Sequence, residues 1–396
     1  MGKSKKSNTP PVEEVEELPE DVKKQLENAS PDLSIEDIDE DNESVSRTSV
    51  MASFIKKLSF GADLSVMPVP ASFILPKSTL SYFAEHYSNH FDILLQANEI
   101  TDPTERFLQV AKYMMTTCLL PEDPTRKPLN PVLGETWEAT VHYGATETEN
   151  GQDDTTTSNS GAYCHFFAEQ ISHHPPISCT SVYNKEAGLY VSYYYPVRTN
   201  FMGTYAKLTF EGKVSVRLEK FNEEYTADCP NMAIRIFRSF SEFVGNTKMT
   251  VSSSKLRMKT VWHAKALLFG SYNQIESTVY NGKEKTHKIK GAWDQELKIT
   301  EYKKDDYKTF MNRSTMIKGK MTLPKEVLPT DSSKVWGTLF DAFEKKAPMK
   351  EISKEKVRVE EEQRKLAASR KASKTIWKPV WFKQNDEGAW VQNNYK

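Results

Sequence analysis

The chain has 396 residues, with 53 lysines and arginines against 54 aspartates and glutamates. The net charge of −1 hides a division: residues 1–48 hold 14 acids and 6 bases, a balance of −8, so the other 348 residues carry +7. No apolar run reaches the roughly 18 residues of a spanning helix, no secretory leader opens the chain, and Cys118, Cys164, Cys179 and Cys229 form no Cys-x-x-Cys motif, so the sequence predicts a cytoplasmic protein with reduced thiols.

Residues 1–48 are rich in Glu, Asp, Ser and Pro and hold no aromatic residue, so they read as a disordered acidic tail. In residues 49–60, Val50, Met51, Phe54, Ile55 and Leu58 follow helical spacing with Lys56 and Lys57 opposite; Gly61 ends the helix, and Pro68 and Pro70 hold the following stretch extended. An amphipathic helix on such a tether packs on a core, closes as a lid or senses a membrane, and periodicity does not choose among these. Two helices are expected within 78–120: one over 78–96, and one started by Asp102 as N-cap with Pro103 first and Glu105 third, burying Phe107, Val110, Ala111 and Met114.

From Trp137 the period changes from 3.6 to 2. Residues 214–219 alternate cleanly, residues 234–236 do so briefly, and residues 188–195 are aromatic and β-prone. Strands recur to about residue 325 without intervening helices, which predicts a mostly β protein with flanking α: one large antiparallel, barrel-like sheet within 121–345. The polar stretch 144–161 reads as an inserted loop. After Pro329, helices are expected over 336–343 and 352–370. Three of the seven tryptophans (Trp377, Trp381 and Trp390) lie in the last 20 residues, so this terminus is expected to pack on the body or to touch a ligand or membrane.

Residues 169–178 read Glu-Gln-Ile-Ser-His-His-Pro-Pro-Ile-Ser. Adjacent histidines on a strand point to opposite faces, but Pro175 forces a turn after His174 that allows both to serve one ligand. At this level the pair reads as structural, as a metal site, as a general base or as an anion site. His165 and Cys164 lie near, but no standard zinc spacing appears, and no metal or cofactor is expected. Two other groups suit an anion. Lys127 and Asn130, in Lys-Pro-Leu-Asn-Pro-Val-Leu-Gly-Glu, offer a point charge and an amide donor. Lys356, Glu360 and Arg364 are spaced i, i+4, i+8 on the late helix, where a solvated, salt-bridged face is the ordinary reading.

Residues 169–178 resemble the EQ-x-SHHPP-x-S fingerprint of the oxysterol-binding protein family, and residues 127–135 resemble its KPLNP-x-LGE element. The Leu-Pro-Thr-Asp-Ser turn at 328–332, the helix carrying Glu360 to Arg364, and Trp381-Phe382 with Trp390 follow in the family's order, covering about residues 50–396. The resemblance implies an incomplete antiparallel β-barrel around a hydrophobic tunnel in residues 49–396, comprising a lid and following strand (49–77), helices (78–120), the barrel (121–345) and a C-terminal helix with an aromatic tail (346–396). It implies a lipid-transfer protein, not an enzyme, that exchanges phosphatidylinositol 4-phosphate for a sterol or phosphatidylserine between membranes. The alternative is a non-transporting sensor that signals occupancy through its lid.

By the same resemblance Lys127, Asn130, His173, His174, Lys356, Glu360 and Arg364 hold the phosphoinositide head group. Phe54, Ile55, Leu58, Leu64 and Val69 are the lid and lipid-tail contacts. A phosphorylated inositol needs several donors in a partly dry site, which this set supplies. Glu360 repels phosphate, so its place is with the inositol hydroxyls or with Arg364. Ser333 stands where the family pattern has Arg. The expected partners are membrane lipids and, given the modest body charge, transient contact with anionic membrane surfaces; no nucleic acid is expected, and the chain is expected to be a monomer.

Overall fold

The computed structural model describes residues 58–64, 71–121, 123, 126–144, 162–266, 270–386, 388 and 390–393, with Lys24 and Lys56 as isolated positions. The expectations for the acidic tail, for Phe54, Ile55 and Val69, and for most of the 144–161 loop lie outside these residues.

Strand β1 (Ile74–Ser78) leads into α1 (Thr79–Ser88), whose N-cap Ser78 accepts from the Leu80 N–H. Instead of one helix over 78–96, a break at residues 89–91 separates α1 from α2 (Asp92–Ala97). The reason is tertiary. The carbonyls of Tyr87, Ser88 and Asn89 accept from the Tyr113 hydroxyl, the Tyr143 hydroxyl and the Gly319 N–H, which ties the break to distant parts of the chain while Ser88 O keeps only an i to i+3 bond from Phe91 N–H at 3.5 Å. Helix α3 (Pro103–Thr116) starts as expected, with Asp102 Oδ1 accepting from Thr104 and Glu105 N–H groups at 2.9 Å each.

Strand β2 (Lys127–Leu129) pairs in parallel with β1. The remaining main strands are β3 (Thr136–His142), β4 (Tyr163–Ser172), β5 (Ile177–Asn184), β6 (Leu189–Phe201), β7 (Ala206–Phe210), β8 (Lys213–Leu218), β9 (Glu223–Asp228) and β10 (Asn231–Arg235). After them come β11 (Phe240–Val251), β12 (Leu256–Trp262), β13 (Gln274–Asn281), β14 (Glu284–Ala292), β15 (Glu296–Glu301), β16 (Lys308–Asn312) and β17 (Lys320–Thr322). They form one 15-stranded antiparallel sheet running from β16 to β17, with β3 next to β17. The alternation read in residues 214–219 is that of β8, where Val214, Val216 and Leu218 are buried.

Strands β6 and β11 are the longest because each serves two neighbours. The first half of β6 pairs with β8 and its second half with β7, while β11 pairs with β10 and then with β9. The circuit β6-β7-β10-β11-β9-β8 therefore closes on itself, while β16 and β17 remain free edges, so the barrel is incomplete. The main core packs Leu80, Phe91, Leu94, Phe107 and Val110 of the helices against sheet residues such as Phe166. A cavity of about 40 Å³ lies between the end of α3 and the strands, with Met114, Met115, Met249, Met258, Cys118 and Trp262 in its wall.

After the sheet, α4 (Ser332–Val335), α5 (Gly337–Glu344) and α6 (Met349–Ser373) build a second core of Ile74, Leu129, Val132, Trp336, Ile352 and Val359. Asp331 caps α4: its Oδ1 accepts from the backbone N–H of Ser333 at 2.8 Å and from its hydroxyl at 2.5 Å, so Ser333 closes the turn locally. The aromatic terminus forms a hairpin of β18 (Phe382–Gln384) and β19 (Trp390–Gln392) and packs on the body against Ile171 and Cys179.

Candidate functional site

Strand β2 (Lys127–Leu129) holds the start of residues 127–135 extended, a turn at Leu133 and Gly134 follows with Glu135 N–H donating to Val132 O at 3.0 Å, and Glu135 fixes where this loop ends. Glu135 is fully buried; its carboxylate accepts from the Ser78 and Ser332 hydroxyls, the Val132 N–H at 2.9 Å and the Trp336 indole N–H at 2.9 Å. Burial pushes its pKa up, against these donors. The loop is locked to the fingerprint strand β4, because Gly134 N–H donates to Gln170 O and Gln170 N–H to Glu135 O, both at 2.9 Å. Gln170 also accepts from the Ser178 hydroxyl at 2.5 Å, across the turn that carries the histidines.

That turn places His173 half-buried and His174 exposed, with ring centroids 4.6 Å apart and a cis peptide bond between His174 and Pro175. His173 Nδ1 lies 3.0 Å from Pro131 O, and a carbonyl only accepts, so Nδ1 carries the proton and Nε2 is left for a ligand. Burial first, and then His174, lowers the His173 pKa, while Glu360 acts in the opposite direction. Lys127 Nζ donates to Asn130 Oδ1 at 2.9 Å, which turns the Asn130 NH₂ group outward.

Helix α6 brings the third group. Ile352, Lys356 and Val359 are its buried residues, so Lys356 sits within the packed stripe. Lys356 Nζ meets Glu360 Oε1 at 2.8 Å. Its charge reaches Lys127, whose pKa falls to about 8 through burial first and then Lys356, with Glu360 offsetting part of the shift. Lys127, Asn130, His173, His174, Lys356 and Glu360 thus share one locus, with a single carboxylate among two lysines and two imidazoles. Arg364 lies on the solvent side of the same helix. Eight helical residues turn through about 80° beyond two full revolutions, which carries Arg364 to the exposed side, while Gln363 is half-buried. Lys354 is exposed, and Arg358 is occupied by Glu355, Glu362 and Thr338 on the outer face.

Of the lid positions, Leu58 and Leu64 are half-buried, and residues 61–64 run beside the end of β6. Gly61 N–H donates to Phe201 O at 2.7 Å and Leu64 N–H to Thr199 O at 2.8 Å.

Sequence reasoning gave no role to two residues that hold this locus together. One is Glu135. The other is Glu169, buried on β4, which accepts from the Val380 and Trp381 N–H groups at 2.7 and 2.8 Å and so fastens the C-terminal tail over the fingerprint. Trp377 covers Gly134 so closely that a Cβ there would lie 2.9 Å from its indole nitrogen. The available signal was a carboxylate inside an otherwise apolar run: Phe-Phe-Ala before Glu169, and Pro-Val-Leu-Gly before Glu135.

A family model described as oxysterol-binding protein matches residues 50–346. Oxysterol-binding protein 1 of Dictyostelium discoideum is 47% identical over 404 residues, covering 100% of both chains. The chain belongs to the oxysterol-binding protein family. Oxysterol-binding protein 3 of the same organism is 35% identical, covering 88% of this chain and 90% of its own. Two solved structures share the fold at low identity. The Osh1 ORD domain in complex with cholesterol has a TM-score of 0.67 at 22% identity, covering 89% of this chain and 88% of its own. The Osh3 ORD in complex with PI(4)P, from Saccharomyces cerevisiae, has a TM-score of 0.63 at 16% identity, covering 89% and 90%. Membership makes the chain a lipid-binding and lipid-transfer protein rather than an enzyme. No helix among the described residues is long and apolar enough to cross a membrane.

Proposed function

We propose that residues 49–396 exchange phosphatidylinositol 4-phosphate for a sterol or phosphatidylserine between membranes. The observation that carries this reading is the positive surplus at the locus. Burial first, and then the Lys356 charge, lowers the Lys127 pKa, while Glu360, paired with Lys356 at 2.8 Å, offsets part of the shift. Like charges brought together in a half-buried place are unfavourable unless a counter-charge arrives. A phosphomonoester with flanking hydroxyls is such a counter-charge: the lysines, the Asn130 amide and the His173 and His174 imidazoles meet the phosphate, His173 Nε2 donating once the anion draws a second proton onto the ring, Glu360 takes inositol hydroxyls, and Arg364 closes from the solvent side.

The lipid's tails or rings enter the barrel under the lid, against Phe54, Ile55, Leu58, Leu64 and Val69. A cavity of about 40 Å³ must widen to roughly 300 Å³ or more for such a ligand. Four methionines in its wall suit that change, because unbranched thioethers repack readily. The protein works as a monomer touching anionic membranes transiently. The test is extraction from liposomes by the His173→Ala/His174→Ala variant. Phosphatidylinositol 4-phosphate extraction is expected to vanish while sterol or phosphatidylserine extraction survives; equal loss of both with an unfolded spectrum overturns the head-group assignment.

A further inference from the structure

Residues 363–385 contain no acid and seven cations: Arg364, Lys365, Arg370, Lys371, Lys374, Lys378 and Lys383. Their sum equals the whole +7 of residues 49–396, so the remaining residues of that body sum to zero. The stretch spans the last turns of α6 and the segment that returns over the fingerprint. From Arg364 to Ser369 the helix is exposed at every position, so it projects from the body instead of packing on it. Lys374 ends it in the left-handed conformation at φ 54°, with Thr375 N–H donating to Arg370 O at 3.0 Å.

The chain then runs back with two apolar side chains in solvent, Ile376 at 83% exposure and Val380 at 52%. They are not on a loose tail. Trp377 between them lies against Gly134, and the Val380 and Trp381 N–H groups are bound by Glu169. A segment fastened on its inner side and apolar and cationic on its outer side is unusual for a water-facing surface, because the fixed backbone prevents the apolar groups from turning inward.

We propose that this stretch is the membrane-docking face, with Lys371, Lys374 and Lys378 meeting anionic lipid head groups while Ile376 and Val380 enter the interface. Basic residues around exposed apolar side chains fit an anionic bilayer in both its charge and its apolar boundary. Since the same segment covers Gly134 and Glu169, docking brings the Lys127–His173 locus to the bilayer. The inference deepens the lipid-transfer reading, and vesicles free of phosphoinositide keep the two separable.

The experiment is flotation of the full chain with phosphatidylcholine vesicles containing about 30% phosphatidylserine. Lys371→Glu with Lys374→Glu and Lys378→Glu is expected to weaken binding at least about tenfold, and Ile376→Asp alone to weaken it severalfold with an unchanged thermal midpoint. Lys259→Glu with Lys290→Glu, exposed on β12 and β14, is the control that keeps wild-type binding. Binding that survives both docking variants, or falls equally in the control, overturns the docking face. Loss of phosphoinositide extraction in the histidine variant with intact flotation leaves the docking face standing.

Discussion

Arg106 and Lys127 are both cations held by the fold, and their surroundings differ in one respect. Arg106 meets Glu223 through two bonds of 2.8 Å, donates to the carbonyls of Ile100 and Thr101, and lies over the Phe221 ring. Glu223 is completed by the Tyr225 and Ser253 hydroxyls. Burial raises the Glu223 pKa, but hydrogen bonds from Arg106, Tyr225 and Ser253, with the Arg106 charge, outweigh it and the net shift is downward; the Arg106 pKa rises. Lys127 has an amide oxygen as its near partner, and burial first, then Lys356, lowers its pKa to about 8 with Glu360 offsetting part of the shift. A matched charge ties α3 to β9 and serves stability. A surplus charge strains the folded protein and is relieved by an anionic ligand.

The largest expected effect breaks the matched side. Glu223→Gln leaves the Arg106 guanidinium buried without its counter-charge, a loss of about 3–5 kcal/mol, read by urea unfolding at pH 7. Because the folded Glu223 pKa is depressed, its contribution is present above the ordinary carboxylate value and disappears as pH falls through the lowered one. The variant's deficit should shrink in that acidic window. Its loss of lipid extraction should be equal for every lipid.

Lys127→Met with Lys356→Met tests the other side. Removing two charged donors should weaken phosphoinositide binding on the order of 100-fold and leave sterol or phosphatidylserine extraction in place. Unfolding stability at pH 7 should hold or rise, because the variant removes a repulsion. A variant that loses stability by several kcal/mol would put Lys127 in the same class as Arg106 and dissolve the distinction.

Glu135 stands between the two. It is as buried as Glu223 but is met only by hydroxyl, amide and indole donors, and its pKa rises. Glu135→Gln should cost about 1–3 kcal/mol, as its amide group turns a donor toward donors. The pH sign is opposite to that of Glu223. The folded state holds the Glu135 proton more tightly, so wild-type stability from this group falls as pH rises from the ordinary carboxylate value through the raised one. The deficit of Glu135→Gln should therefore narrow with rising pH, measured by unfolding between about pH 4 and 7.

Much of this was legible in the chain and some was not, for physical reasons. The change of period at Trp137 marks a sheet because alternation is local. The double pairing of β6 and β11 that closes part of the barrel depends on partners up to dozens of residues away, and no local pattern contains it. Asp102 announces α3 by a hydrogen bond within its own turn, but the break after Ser88 comes from Tyr113, Tyr143 and Gly319, remote donors that local propensity does not register. At the site, counting i, i+4, i+8 grouped Arg364 with Lys356 but did not show that Lys356 belongs to the packed stripe of Ile352 and Val359 while Arg364 is exposed. A lysine between two buried apolar residues on that stripe was the sharper signal.

The smallest effect is a pH dependence, and it sharpens the comparison most finely because a cation with a lowered pKa produces it and Arg106 does not. With a pKa near 8, free Lys127 is half neutral at pH 8 and mostly neutral at pH 9. A bound phosphate raises that pKa, so binding takes up a proton. Phosphoinositide affinity should drop about twofold at pH 8 and about tenfold at pH 9 relative to pH 6.5. In Lys127→Arg, whose guanidinium stays charged, the drop should disappear even if the absolute affinity changes. Titration calorimetry in two buffers of different ionisation enthalpy, with a short-chain phosphatidylinositol 4-phosphate, reads the proton uptake directly. A flat profile in the wild type would mean that burial and Lys356 do not lower the Lys127 pKa in solution, and that Lys127 is matched in the way Arg106 is.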